Sequence, residues 1–312
     1  MSISVIIPAY NSMPYLRETL QSIFNQTHQA DEILVIDDGS TDWTVAFAES
    51  FGPKIRVFHR SRQRQASNRN FGAEQTSCEW LAFLDHDDLW EPNKLERQID
   101  ELSRNPDADL CYTARVTFIQ EGDNFVRDKI FPVPPAQDIK RALYVNTTFM
   151  PGSVLIRRST FLASGGFDPK LKLVEDWDLW LRLLHGGTRF AACQEPLLLH
   201  RIHANMQSNN AMEALAEVKG IYRRHVLPRL SPATRWIKHQ ISQSGQESTA
   251  SYILREVKDP RYLSMMATSI LRYPFNDPHR YKVFAHMLFT RLKQALEGDR
   301  RKAGEDEKLN NS

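Results

Sequence analysis

Through the first third of this chain, short apolar runs take turns with stretches whose apolar positions recur at helical spacing. Ser2–Pro8, Glu32–Ile36, Ile55–His59 and the run Trp80-Leu81-Ala82-Phe83-Leu84 are rich in β-branched and large apolar residues and lack a helical period. Runs of this length predict strands, and their continuous apolarity predicts burial on both faces. Between them, Pro14–Gln26 carries Leu16, Leu20, Ile23 and Phe24 on one helical face. Trp43–Ser50 and Gln65–Thr76 also read as helices. Strand and helix alternating over short connections predict an α/β fold built on a Rossmann-like, mostly parallel sheet flanked by helices.

Further along, Leu95–Arg104 predicts a helix and Leu110–Ile119 an alternating strand. Gly122–Pro135, with Pro132, Pro134 and Pro135, reads as a turn-rich connection, either a lid or a loop crossing the sheet edge. Ser153–Ile156 predicts a strand, Ser159–Ser164 a helix stopped by Gly165-Gly166, and Glu175–Leu184 an amphipathic helix. Phe190–Ala192 and Leu197–His200 predict two closing strands. Beyond about Gln207 the pattern becomes helical. In Arg280–Leu296, Tyr281, Phe284, Leu288, Leu292 and Ala295 share a face, suited to packing on the body or lying on anionic lipid. The expected division is therefore a body over 1–205, a helical extension over 206–297 and a disordered tail over 298–312.

Composition narrows the setting. Hydrophobic content of 41% and charged content of 25% in 312 residues are those of an ordinary soluble protein. The three cysteines, Cys78, Cys111 and Cys193, show no metal-ligand spacing and fit a reducing compartment. The start of the chain lacks a basic n-region, and no run approaches the ~20 apolar residues of a membrane span. A cytoplasmic protein is expected, with peripheral contact to the inner membrane face through the C-terminal helix. The net charge of +2 conceals an acidic body and a basic extension. Basic residues are not interleaved with aromatics, so no nucleic-acid partner is expected.

Three acidic clusters carry the candidate chemistry. Asp85-His86-Asp87-Asp88 follows a predicted buried strand, at the sheet edge where open α/β folds bind ligands. Such close carboxylates repel unless a cation lies among them, and hard oxygen ligands favour Mg2+ or Mn2+. The competing reading is a turn in which Asp88 caps a helix beginning near Glu91-Pro92. On the same edge, Pro8-Ala9-Tyr10-Asn11 and Asp37-Asp38-Gly39-Ser40 suit a nucleotide: Tyr10 can stack on a base, and Asp38 can accept from a base N–H. Neither a Gly-x-Gly-x-x-Gly fingerprint nor a P-loop is present. Diphosphate charge then has to be met by a metal and by side chains such as Arg69. The third cluster, Glu175-Asp176-x-Asp178, opens an amphipathic helix, where a carboxylate is stabilised as the anion and can serve as a base.

Val5-Ile6-Ile7-Pro8-Ala9-Tyr10-Asn11, Asp37-Asp38-Gly39-Ser40-Thr41-Asp42, Asn68-Arg69-Asn70-x-Gly72, Asp85-x-Asp87-Asp88, Gly165-Gly166-Phe167-Asp168 and Glu175-Asp176-x-Asp178-Leu179-Trp180 occur in this order. Over roughly residues 2–205 the chain resembles family 2 glycosyltransferases. The resemblance implies a GT-A fold, with a nucleotide half to about residue 110 and an acceptor half over 111–205. It also implies a nucleotide-sugar donor (foremost a UDP-sugar), Mn2+ or Mg2+, inversion at the anomeric carbon, and a glycan or lipid-linked glycan acceptor. Matched by position, Pro8, Ala9, Tyr10, Asn11, Asp37, Asp38, Arg69 and Asp85 would hold the nucleotide. Asp87 and Asp85 would hold the metal, joined by His203 of the closing segment His200-Arg201-Ile202-His203. Asp176 would be the catalytic base, with Glu175 beside it. One departure bears on loop shape: Ser61-Arg62-Gln63-Arg64-Gln65 lacks the glycine often found there in the family. The rivals are a nucleotidyltransferase, which needs a glycine-rich loop after the first strand, and a nucleotide-sugar-binding protein without catalysis.

Overall fold

Every residue of the first strand, β1 (Ile3–Ala9), is buried in the computed structural model of the chain, as a strand covered on both faces must be. The structure describes residues 1–121, 124–203, 211–231 and 261–272. β1 pairs in parallel with β2 (Glu32–Asp37) and β4 (Trp80–Phe83), and β3 (Ile55–His59) extends the sheet beyond β2. The intervening helices are α1 (Met13–Phe24), α2 (Thr44–Glu49) and α3 (Arg64–Gln75). This is the alternation read from the sequence, folded into the order β3-β2-β1-β4. Register pairs Ala9 with Asp37 and Ile6 with Phe83, so the carboxyl ends of β1, β2 and β4 lie along one edge.

Past β4 the sheet becomes mixed. β8 (Val154–Arg157) is antiparallel to β4, β6 (Leu110–Glu121) is antiparallel to β8, and β9 (Phe190–Arg201) is parallel to β6. The short β5 (Leu89–Trp90) pairs with β9, completing the order β3-β2-β1-β4-β8-β6-β9-β5. Helices α4 (Lys94–Arg104), α5 (Ile139–Leu143), α6 (Arg158–Ala163) and α7 (Glu175–His185) accompany this half.

Two expectations need correction. Gly122–Pro135 is not a bare connection, because Asn124–Phe131 forms β7, antiparallel to β6. Phe125 stacks on Phe118 with ring centroids 4.4 Å apart, and the Thr117 hydroxyl lies 3.2 Å from Asp128. The prolines that suggested a loop fall after the strand and end it. The two predicted closing strands are one, β9, whose register against β6 shifts near Ala114, where Pro196 interrupts the pattern.

The fold divides into two units, Met1–Met206 and Gln207–Ser312. The described part of the second contains α8 (Ala211–Ile221), a π turn at Tyr222–Val226, a 3-10 turn at Leu227–Arg229 and α9 (Tyr262–Arg272). Arg280–Leu296 and the tail 298–312 lie outside the described residues. In the first unit, α3 packs closely on β1: a Cβ on Gly72 would come within 2.5 Å of the Ile6 side chain. Substituting Gly72→Ala should therefore overpack this contact and cost about 1–3 kcal/mol. The urea unfolding midpoint would report it, and an unchanged midpoint would mean that α3 and β1 can separate freely.

Candidate active site

The ends of β1 and β2 are locked to each other. The Asn11 N–H donates to Ser40 Oγ at 2.9 Å, and Asn11 Oδ1 accepts from the Thr41 N–H at 2.8 Å. Asp37, nearly fully buried, accepts from the Gly39 and Ser40 N–H groups at 3.2 Å and closes the turn after β2. Pro8 and Ala9 stay buried in β1, whereas Tyr10, 54% exposed, leaves its ring face open at the edge. Asp38 accepts from the Gln63 and Arg64 N–H groups at 2.7 and 3.0 Å. Those bonds hold the loop that lacks glycine, where Arg62 and Arg64 adopt left-handed φ values of 51° and 68°. Non-glycine residues persist there only when surrounding contacts impose the conformation.

Arg69, on α3, is 1% exposed and reaches across the molecule. One Nη donates to Asp85 at the end of β4, and the other donates to Glu175 Oε1 at 2.8 Å at the start of α7. Burial alone would favour the neutral guanidine. Asp85 and Glu175 outweigh it and hold the pKa of Arg69 above its ordinary value. The side chain expected to line the nucleotide pocket is thus a buried bridge between two of the three acidic clusters. Its neighbour Asn70 adds a second tie, because its amide bonds both the N–H and the carbonyl of Phe167 at 2.8 Å.

Asp87 and Asp88 part company. Asp87 Oδ2 lies 2.9 Å from His203 Nε2. Burial pushes the Asp87 carboxyl up, but His86 and His203 more than offset this and hold its pKa below the ordinary carboxylate range. Asp88, 1% exposed, is not a helix cap. β5 intervenes before α4, whose N-cap position is Asn93. The Asp88 carboxylate instead accepts from the Arg201 N–H at 3.0 Å and faces His200 Nδ1 at the same distance. Arg201 itself was not singled out in the sequence. Its Nε donates to the Asp87 carbonyl at 2.8 Å and its Nη2 to Glu18 at 2.6 Å, while the guanidinium lies over the Tyr15 and Phe118 rings. The closing segment is therefore fastened to the Asp85–Asp88 turn. A cation two residues before His203 was the visible signal; nothing in the sequence pointed to Glu18.

Asp176 is half-buried at the first turn of α7. Its Oδ1 accepts from the Trp177 N–H at 2.6 Å, and Oδ2 accepts from the Thr147 hydroxyl at 3.2 Å. Burial foremost, then the adjacent Glu175, pushes its pKa up to about 7. The helix behind it is firmly seated: the indole N–H groups of Trp177 and Trp180 donate to the carbonyls of Leu143 and Phe149 at 2.8 and 3.1 Å. Arg182 spans Asp178 at 2.7 Å and the Ser164 and Gly166 carbonyls at 2.6 Å, tying α7 to the Gly165-Gly166 turn. A half-buried carboxyl that titrates near neutrality is suited to taking a proton from an incoming hydroxyl. Among the described residues no group of three or more His, Cys, Asp or Glu side chains could by itself hold a metal ion.

Residues 4–164 match the model of the family described as glycosyl transferase family 2. An uncharacterized glycosyltransferase of Rickettsia typhi is 31% identical over 227 residues, covering 70% of each chain. The putative teichuronic acid biosynthesis glycosyltransferase TuaG of Bacillus subtilis is 30% identical over 226 residues, 71% of this chain and 87% of that one. Among solved structures, TarS 1–349 of S. aureus in complex with UDP-GlcNAc superposes with a TM-score of 0.58 at 17% identity, covering 93% of this chain and 92% of that one. The mannosyltransferase PcManGT of Pyrobaculum calidifontis, in complex with GDP-Man and Mn2+, gives 0.59 at 17% identity over 94% and 80%. At that identity the structural likeness speaks for the fold, the α/β architecture of GT-A glycosyltransferases.

The bridge through Arg69 generates a direct test. Arg69→Met should leave the Asp85 and Glu175 carboxylates buried without their cation and cost about 3–5 kcal/mol. Chemical denaturation at pH 7 checks it, and wild-type stability would mean that the two acids do not depend on Arg69.

Proposed function

Because the chain belongs to glycosyl transferase family 2, we propose that it moves a sugar from a nucleoside-diphosphate sugar to an acceptor hydroxyl with inversion at the anomeric carbon. One observation carries this reading. A base of suitable acidity, Asp176, is held by the Arg69 bridge in the same unit as the strand ends bearing Tyr10, Asp38 and Asp87.

Tyr10 offers an exposed ring for the base of the nucleotide, and the Asn11, Asp37 and Asp38 loops form a rigid floor around it. The remaining acceptor capacity of the Asp38 carboxylate is available to a base N–H. Asp85, oriented by Arg69, would serve the donor side. Asp87 and His203, a carboxylate and an imidazole brought to one point, would be the residues that hold a divalent ion. The His203 ring is oriented by its Nε2 contact with Asp87 and by packing on Tyr15, while its Nδ1 is buried without a partner. Mn2+ or Mg2+ there would supply counter-charge to the departing diphosphate. Asp176 Oδ2, next to the Thr147 hydroxyl, takes the proton of the attacking oxygen, and Glu175 stays engaged with Arg69. One base and one displacement lead to inversion, with no carboxylate nucleophile required.

A UDP-sugar is the proposed donor, supported by the complexes of TarS with UDP and with UDP-GlcNAc. For the acceptor we propose a growing polysaccharide or lipid-linked glycan, in keeping with the name of the Bacillus relative. No helix among the described residues is long and apolar enough to cross a membrane. Work at the cytoplasmic membrane face belongs to the same proposal.

Asp176→Asn should abolish sugar transfer while leaving nucleotide affinity unchanged; retained transfer would remove Asp176 from the role. Since the base must be ionised and its pKa is pushed up to about 7, the wild-type rate should climb with pH through that value. Separately, Asp87→Ala should lose the strengthening of UDP binding by Mn2+ in titration calorimetry. Equal affinities with and without Mn2+ in the wild type would count against a metal at Asp87.

A further inference from the structure

Arg115 has no place in the reaction as described. It lies on β6, opposite Phe131 of β7 and Leu198 of β9. Its guanidinium lies over the Phe131 ring at 4.3 Å from the centroid. The Nε is buried and makes no hydrogen bond, and among the described residues no carboxylate forms an ion pair with the side chain. This sets the half-buried Arg115 apart from the buried Arg69 and Arg201, which each engage carboxylates directly. Asp176 and Asp88 act on it from beyond contact distance. Burial pulls its pKa down, and those two acids only partly offset the effect. A planar fork of donors held on an aromatic face and left without an anion is prepared for carboxylate or phosphate oxygens. Thr148, next to the Thr147 that bonds Asp176, likewise has a buried hydroxyl without a partner.

We propose that Arg115 is an acceptor-recognition residue, which pairs with an oxyanion (a carboxylate or a phosphate) carried by the acceptor near the hydroxyl that is glycosylated. The inference rests on Asp176 marking the acceptor side. Both Asp176 and Asp88 act on Arg115, which lies within electrostatic reach of the proposed base and of the Asp85–Asp88 turn. The other source of the same chemistry is the diphosphate of the donor, and the experiment separates the two.

Titration calorimetry on the full chain with Mn2+ and saturating UDP, or GDP in parallel, would use two matched pairs of probes. Methyl β-glucuronide is compared with methyl β-glucoside, and glycerol 3-phosphate with glycerol. At least one anion should bind about tenfold or more tightly than its neutral counterpart. Arg115→Met should erase that preference, and Arg115→Lys, which keeps charge without the fork, should restore part of it. Nucleotide affinity should remain at the wild-type value in both variants, which also reports that they are folded. Equal binding of anions and neutral probes to the wild type, or a preference that survives in Arg115→Met, overturns the proposal. So does a loss of UDP affinity in Arg115→Met, because it would assign the side chain to the donor. Asp176→Asn, tested alongside, should keep the anion preference. Failure of Asp176 as the base would appear as retained transfer in that variant, independently of the binding result.

Discussion

Two carboxylates from distant parts of the chain, Asp85 at the end of β4 and Glu175 at the start of α7, share the guanidinium of Arg69. Removing the cation would leave both carboxylates without their ion-pair partner, and breaking such a pair is costly. Arg69 is thus the point on which the spacing between the end of β4 and the start of α7 depends. Arg69 and Asn70 leave α3 toward the same region and fix α7 and the Phe167 backbone respectively. The catalytic elements are aligned by one helix that touches no substrate in the proposed mechanism.

Charge is dealt with differently at each acid of the Asp85–Asp88 turn. Asp85 meets an arginine, Asp87 an imidazole, and Asp88 a backbone N–H together with a second imidazole. Each acid has its own partner from a different element, yet burial foremost, with Asp87 and Asp85 adding to it, holds the pKa of Asp88 above its ordinary value in spite of His200. Asp88 is a structural acid that secures β9 behind the turn, which leaves Asp87 as the member with a partner able to be shared with a ligand.

The parallel part of the sheet, β1 to β4, was readable because its information is local. Buried runs, helical spacing and acids at strand ends predict β1 to β4 and place Tyr10, Asp37, Asp38 and Asp87 on one edge before any coordinate is known. What escaped was held by long-range pairing. Glu18 meets Arg201 and Arg69 meets Glu175 across separations no periodicity encodes. β7 was hidden by the prolines that follow it, and β9 was split in the pattern by Pro196, which the structure absorbs as a shift in register. Arg115 looked like any polar position on an alternating strand. Its isolation from other charges becomes visible only when the sheet is assembled.

The double hold of α3 has a topological consequence. Phe167 is gripped by Asn70 and Glu175 by Arg69, so the segment 168–174 is suspended between two consecutive residues of a single helix. Its ends cannot drift apart, and the entropy of closing it grows only logarithmically with its length. That segment is a ring whose clasp lies elsewhere. The spacing between Phe167 and Glu175 is therefore set by one helix as well as by the backbone that joins them, and Asp176, next to Glu175, takes its place from that helix.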